Sequence, residues 1–247
     1  MGRSGRRTQQ FIQFQVSDDA CGMKVGTDAL ILGSYAGERL HSQGEPPLRI
    51  LDIGTGSGIL ALMLAQRFPE AHVDAIEVEG DAVAQARANV EASPFRDRIA
   101  VHHCALQAWR AEPYDLIVSN PPFFHNHPKG NDPKRNLARH DDSLPLDSLL
   151  KHGHQLLATG GEMVVIYPED RADFMEASIA ESPINLWHRI ALQSSPNHGV
   201  IRSVWSLSSG NQASPTHANW IIEAEPLKWG PDIQSRLEPF VPGIQQG

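Results

Sequence analysis

Apolar residues fall in short runs separated by polar or turn-forming residues, and the runs alternate in kind. Leu48-Arg-Ile-Leu-Asp-Ile53, bounded by Pro46-Pro47 and by glycines, predicts a buried strand. Ile59 to Phe68 predicts a helix stopped by Pro69. His72 to Val78 predicts a second strand, Asp81 to Ala92 an alanine-rich helix, Arg98 to His103 a third strand and Tyr114 to Ser119 a fourth. Leu146 to Ala158 predicts a helix, and Gly160-Gly161 separates it from a fifth strand, Glu162 to Tyr167. Alternation of strand and helix over residues 48–167 gives a parallel sheet covered by helices on both faces.

The flanks differ. Trp187 to Gln193, Val200 to Leu207 and Trp220 to Ala224 predict strands that extend the same sheet with antiparallel pairs. Asp28 to Ala36 predicts a helix at the ligand-binding end of the sheet. Residues 120–141 carry too much Pro, Asn and Asp for a regular element. The expected fold class is α/β, one domain built on a mostly parallel seven-stranded sheet.

Composition narrows the classes. Hydrophobic residues make 40% and charged residues 20% of the 247, which excludes wholesale disorder. No apolar run of about 18 residues occurs, so no membrane-spanning helix is expected. The basic start, Met1-Gly-Arg-Ser-Gly-Arg-Arg, leads into polar sequence and does not read as a secretory signal. Two distant cysteines, Cys21 and Cys104, give no disulfide framework and suit a cytoplasmic location. The net charge of −8 argues against coating nucleic acid by bulk charge, though not against a local basic patch. Among twelve histidines, the close pairs His125-x-His127 and His152-x-His154 have no companion ligands at zinc spacing, so no metal is expected.

The first strand runs into Asp52-Ile-Gly54-Thr55-Gly56-Ser-Gly58 and then a helix. Ligands of open α/β sheets bind outside the carboxyl ends of the strands, where glycines let the backbone approach closely. The spacing G-x-G-x-G is not the G-x-G-x-x-G of dinucleotide sites. Asp52 beside the loop would repel a pyrophosphate but suits an ammonium group. Glu77, closing the second strand, can accept from both hydroxyls of a ribose. A ligand with ribose, an amino acid end and no phosphate fits these groups: S-adenosylmethionine.

The fourth strand ends in Asn120-Pro121-Pro122-Phe123-Phe124. Successive prolines stiffen the loop and leave carbonyls free to accept. Asn120 and the Pro121 carbonyl can hold the two hydrogens of a planar amino group, and an aromatic ring can stack on it. This favours a pyramidal nitrogen whose lone pair points at the donor methyl, with positioning and electrostatics supplying the acceleration.

At these residues the chain resembles the class I, Rossmann-like S-adenosylmethionine-dependent methyltransferases of the N-P-P-[YF] type. Phe11-Ile-Gln-Phe14, Lys24-Val-Gly26-Thr27-Asp28 and Ala138-Arg139-His140 sharpen the match to the bacterial tRNA1(Val) (adenine(37)-N6)-methyltransferases. The resemblance implies N6-methylation of an adenine in a tRNA anticodon loop. It puts Lys24, Thr27 and Asp28 against the methionine end of the cofactor, with Asn120 and Pro121 as amino acceptors and Phe123 as the stacking ring. Residues 1–40 become an N-terminal extension over the cofactor site, and residues 41–247 the methyltransferase domain. Many relatives carry an acid where this chain has Ala105, so the contact to the cofactor's adenine must come from elsewhere.

Lys129, Lys134, Arg135 and Arg139 follow the proposed catalytic loop and suit RNA phosphates beside the active site. Arg3, Arg6 and Arg7 suit a basic arm. Two other readings stay open. Asn-Pro-Pro equally serves guanine N2 in ribosomal RNA or a protein glutamine, and a nucleotide-dependent oxidoreductase using NAD is a rival of another class.

Overall fold

A computed structural model describes residues 8–121, 144–210 and 214–244. Leu51 to Ile53 and their neighbours are buried on both sides, because helices cover the sheet from each face. The central strands are β3 (Arg49–Ile53), β4 (His72–Glu77), β5 (Ile99–His103), β6 (Tyr114–Ser119) and β7 (Leu157–Pro168). They pair in parallel, in the order β5-β4-β3-β6-β7. β8 (Asn185–Gln193), β9 (Val200–Ser208) and β10 (Thr216–Ile221) complete an eight-stranded sheet beyond β7, in the order β7-β9-β8-β10.

Two expectations are corrected here. The sheet has eight strands where seven were expected. The last strand runs over 216–221, not 220–224, and joins β8 in parallel, whereas β9 pairs antiparallel with both β7 and β8. Alternating polarity shows that a strand exists but not which edge it finds, and β10 crosses past β9 to reach β8.

α3 (Ile59–Arg67) follows β3 and is buried from Ile59 through Ala65, as expected for a helix between sheet and outer layer. α1 (Thr27–Tyr35) packs across it at Gly33, where an added Cβ would come within 2.8 Å of Met63 Sδ. α2 (Glu38–Ser42) follows α1, α4 (Gly80–Glu91) flanks β5, and a C-terminal helix, Pro231–Leu237, lies beside α1. On the other face α5 (Leu146–Leu156) and α6 (Ala172–Ala180) cover Leu51, Ile117, Met163 and Trp205. Trp205 and Trp220 are buried, as expected for packing residues.

The N-terminal segment folds as a hairpin, β1 (Thr8–Gln10) and β2 (Gln15–Ser17), separate from the main sheet. Its turn buries Phe11 stacked on Phe14 at 4.6 Å, and Phe14 meets Phe95 edge-on. Hydrophobic burial thus anchors the hairpin on the α4 side of the domain.

Candidate active site

Three adjacent strands deliver their ends to one level. Ile53 of β3 is in register with Ile76 of β4 and with Ser119 of β6. Gly54, Glu77 and Asn120 therefore emerge side by side at the carboxyl edge, about 5 Å from strand to strand. β3 has parallel neighbours reached in opposite directions, the topological position at which open α/β sheets bind ligands.

The glycine loop is built by its own backbone and by side chains beneath it. Gly54, Gly56 and Gly58 adopt φ of +72°, +55° and +82°, conformations that suit glycine. The Gly54 and Thr55 N–H groups donate to the Ile76 carbonyl. An added Cβ at Gly54 or Gly56 would meet nothing within 4 Å, so the loop presents open space. At Gly58 it would touch Ala86 of α4 at 3.4 Å.

Asp52 is fully buried and supports the loop from below. Its Oδ2 accepts from the Thr55 hydroxyl and, at 3.2 Å, from the Ala61 N–H. Its Oδ1 is buried with no partner among the described residues. Burial pushes its carboxyl up to about 7, against the pull of these two hydrogen bonds. Asp52, expected to suit a ligand ammonium directly or through water, holds the glycine loop from beneath, with no surface of its side chain exposed. Glu77 Oε2 accepts from Gly56 N–H at 2.9 Å, and Oε1 accepts from Val78 and Glu79 N–H. A carboxylate has about four lone-pair sites, so one acceptor direction remains for a ligand hydroxyl.

Beside Glu77 lies an open cleft of about 580 Å³, lined by Asp19, Ala20, Cys21, Gly22, Glu79, Gly80 and Asp81. The N-terminal segment forms one wall and the β4–α4 turn the other. Lys24 follows the first wall in sequence. Its ammonium donates to the carbonyls of Asp18 (2.6 Å), Asp19 and Cys21 and closes that wall on itself. Asp18, fully buried, accepts from Val25 N–H at 2.8 Å. Thr27 opens α1. Asp28 pairs with Arg202 of β9 at 3.1 Å. Ala105 follows β5, and its carbonyl accepts from Ala108 and Trp109 N–H.

Asn120 follows Ser119, whose hydroxyl donates to the Ile53 carbonyl at 2.9 Å. Its amide Oδ1 is buried with no partner among the described residues, and Pro121 is buried next to it. A buried acceptor without a donor is costly, so this oxygen is available to a hydrogen-bond donor brought by a ligand. Pro122 and Phe123, with Lys129, Lys134, Arg135 and Arg139, lie outside the described residues, as do Arg3, Arg6 and Arg7. The sequence reading missed Asn89 of α4, whose amide binds both Ser17 of β2 and Ser57 of the glycine loop. Its one sequence signal was a polar residue on a helix that packs against the glycine loop.

A parallel α/β sheet with a glycine loop at the carboxyl end of β3 is Rossmann-like, and the chain is a methyltransferase of that class. The family model described as the methyltransferase small domain matches residues 38–177. Solved structures agree in fold. A predicted O-methyltransferase from Agrobacterium tumefaciens aligns with TM-score 0.63 at 17% identity, over 86% of this chain and 96% of its own. Curated relatives are nearer in sequence. The tRNA1(Val) (adenine(37)-N6)-methyltransferase of Aeromonas hydrophila is 46% identical over 70% of each chain, and that of Parabacteroides distasonis 37% identical over 94% of this chain and 96% of its own. The chain belongs to the tRNA1(Val) (adenine(37)-N6)-methyltransferase family.

Proposed function

We propose that the protein methylates N6 of an adenine in the tRNA anticodon loop, adenine 37 of a tRNA1(Val)-like substrate, with S-adenosylmethionine as donor. The observation that carries this reading is Asn120 Oδ1, buried with no partner among the described residues just past the end of β6, one strand from the glycine loop. The relatives carry this activity in their names.

The residues present fit the donor. The space above Gly54 and Gly56 admits close approach of a ligand, and Glu77 retains an acceptor for a ribose hydroxyl. Asp19, Glu79 and Asp81 line the cleft with carboxylates that disfavour phosphate, so a dinucleotide is a poor occupant. Residues 19–22 of the N-terminal extension line one wall of this cleft and residues 79–81 the other. When bound, S-adenosylmethionine supplies a methyl group on positively charged sulfur, open to displacement by an amine lone pair.

The chain's own groups act on the acceptor. Asn120 Oδ1 accepts one hydrogen of the adenine amino group, and the Pro121 carbonyl is assigned the other. Held by two acceptors, the nitrogen loses conjugation with the ring and its lone pair becomes available. Phe123 is assigned the stacking contact. The proton on the alkylated nitrogen is acidic enough to pass to water, so no strong base is needed. A base in an anticodon loop is already outside a duplex, which lowers the cost of bringing it to the site. Lys129, Lys134, Arg135, Arg139, Arg6 and Arg7 are assigned to RNA phosphates, and a cytoplasmic location follows from a tRNA substrate.

Mass spectrometry of nucleosides from tRNA incubated with the protein and donor tests this. N6-methyladenosine at position 37, absent with Asn120→Ala, is the expected result. Methylated guanine in ribosomal RNA, or methylated glutamine in protein, as the dominant product overturns it.

A further inference from the structure

We propose that Asn89 is a positioning residue for donor binding, which fixes the glycine loop to the two walls of the cleft next to it, at residues 19–22 and 79–81. Three observations meet at this side chain. It is 5% exposed, although asparagine on a helix is ordinarily at the surface. Its Oδ1 accepts from Ser17 N–H at 3.0 Å, and its Nδ2 donates to the Ser17 carbonyl at 2.8 Å. It therefore pairs with both peptide groups of β2, as a neighbouring strand would. The same Nδ2 donates to the Ser57 carbonyl, at 2.8 Å, between Gly56 and Gly58. With Gln85 Nε2 donating to Oδ1 at 3.4 Å, both donors and both acceptor sites of the amide are used.

The cleft geometry gives this arrangement its consequence. One wall is the segment just after Ser17, residues 19–22, and the other is the turn that opens α4, residues 79–81. A Cβ on Gly22 would lie 3.6 Å from the Glu79 carboxylate, so the walls approach closely at that point. Asn89 sits on the helix that begins with the second wall and grips the strand that leads into the first. Its third bond reaches the loop on which Glu77 also acts, through Gly56. No other residue type supplies two donors and two acceptors in this volume. Asp keeps the shape and the acceptors but loses both donors and sets a charge against two carbonyls.

The proposal rests on the reading that the glycine loop seats the donor, and the test separates the two. Full-length wild type, Asn89→Ala and Asn89→Asp are compared by calorimetric titration with S-adenosylmethionine, by steady-state methylation of tRNA, and by hydrogen exchange with and without donor. In the wild type, donor should slow exchange at residues 54–58 and also at 15–22. In both variants the donor Kd should rise about tenfold, as expected when buried hydrogen bonds are left unmade. The kcat at saturating donor should stay within about twofold, as for a group that acts on binding alone. Protection by donor should persist at 54–58 and vanish at 15–22. Unchanged donor affinity, or protection of 15–22 that survives in the variants, overturns the proposal. So does unfolding of both variants, which would make Asn89 a residue of the fold alone. Wild-type protection at 54–58 without 15–22 overturns the proposal but leaves the glycine-loop reading intact; protection at neither segment overturns both.

Discussion

The Ser119 hydroxyl donates to the main-chain carbonyl of Ile53 at 2.9 Å, so the strand that ends in Asn120 is tied to the strand that ends in the glycine loop. Both residues are buried. The bond ties together the two loops that the proposed function brings to one substrate. Ser119→Ala removes this bond, at a net cost of about 0.5–1.5 kcal/mol. The expected outcome is a Tm lower by several degrees and a kcat reduced about tenfold, with donor Kd nearly unchanged. A thermal melt alongside steady-state kinetics checks both, and a kcat equal to wild type would show that the tie does not set the geometry.

Gly56 and Gly160 form a matched pair for separating strain from function. Both have positive φ, +55° and +80°, and both have open space where a Cβ would sit. Either change to alanine carries a similar backbone penalty, about 1 kcal/mol. Gly56→Ala also puts a methyl group into the concavity of the donor loop. Gly160 lies near the start of β7, at the opposite end of the sheet from Asn120. Donor Kd should rise at least tenfold in Gly56→Ala and stay within twofold in Gly160→Ala, measured by titration, with similar small decreases in Tm.

Two buried carboxyls set a pH dependence with a definite sign. Burial pushes Asp52 to about 7. It also pushes Glu162 of β7 to about 7, with the Arg39 and Arg67 charges and the Ser206 hydroxyl offsetting only part of the shift. In the unfolded chain both titrate near 4, so the native state holds more protons between about pH 4 and pH 7. Their contribution to stability is fully present below that window and is lost as pH rises through it. Glu162→Gln removes one of the two titrations without changing shape. Melting curves from pH 4.5 to pH 8 should therefore fall less steeply for the variant than for wild type.

Seven of the chain's 21 lysines and arginines are Arg3, Arg6, Arg7, Lys129, Lys134, Arg135 and Arg139. In the body of the domain many cations are already engaged: Arg98 with three carbonyls, Arg189 with Glu169 and Glu176, Arg236 with Glu38. Replacing Lys134 and Arg135 with alanine should weaken tRNA binding and lower the log–log salt slope by about 0.7 for each phosphate no longer neutralised. Donor affinity should be unaffected. Filter binding across a range of salt concentrations reads the slope directly, and an unaltered slope would remove these residues from the RNA interface.

The central strands and the glycine loop were legible because each is a local signal, an apolar run followed by residues that only a tight loop tolerates. Asn120 was legible for the same reason: its two prolines mark the end of β6. The bonds of Lys24 were not legible, because nothing in Lys24-Val-Gly-Thr-Asp28 shows that the ammonium folds back onto carbonyls three to six residues earlier. The burial of Asp52 beneath the loop was not legible, since burial is a property of the assembled sheet. Asn89 was invisible because its partners Ser17 and Ser57 lie 72 and 32 positions away. The direction of β10 depends on a crossover that alternation of polar and apolar residues does not encode.

The bond between Ser17 and Asn89 also orders events as the chain leaves the ribosome. The amino-terminal hairpin emerges well before the helix that holds it, and for those 72 residues its outward-facing peptide groups can pair only with water. The hairpin is thus gripped by Asn89 only after the nascent chain has brought α4 into place, and premature association through that edge is the hazard such a delay creates.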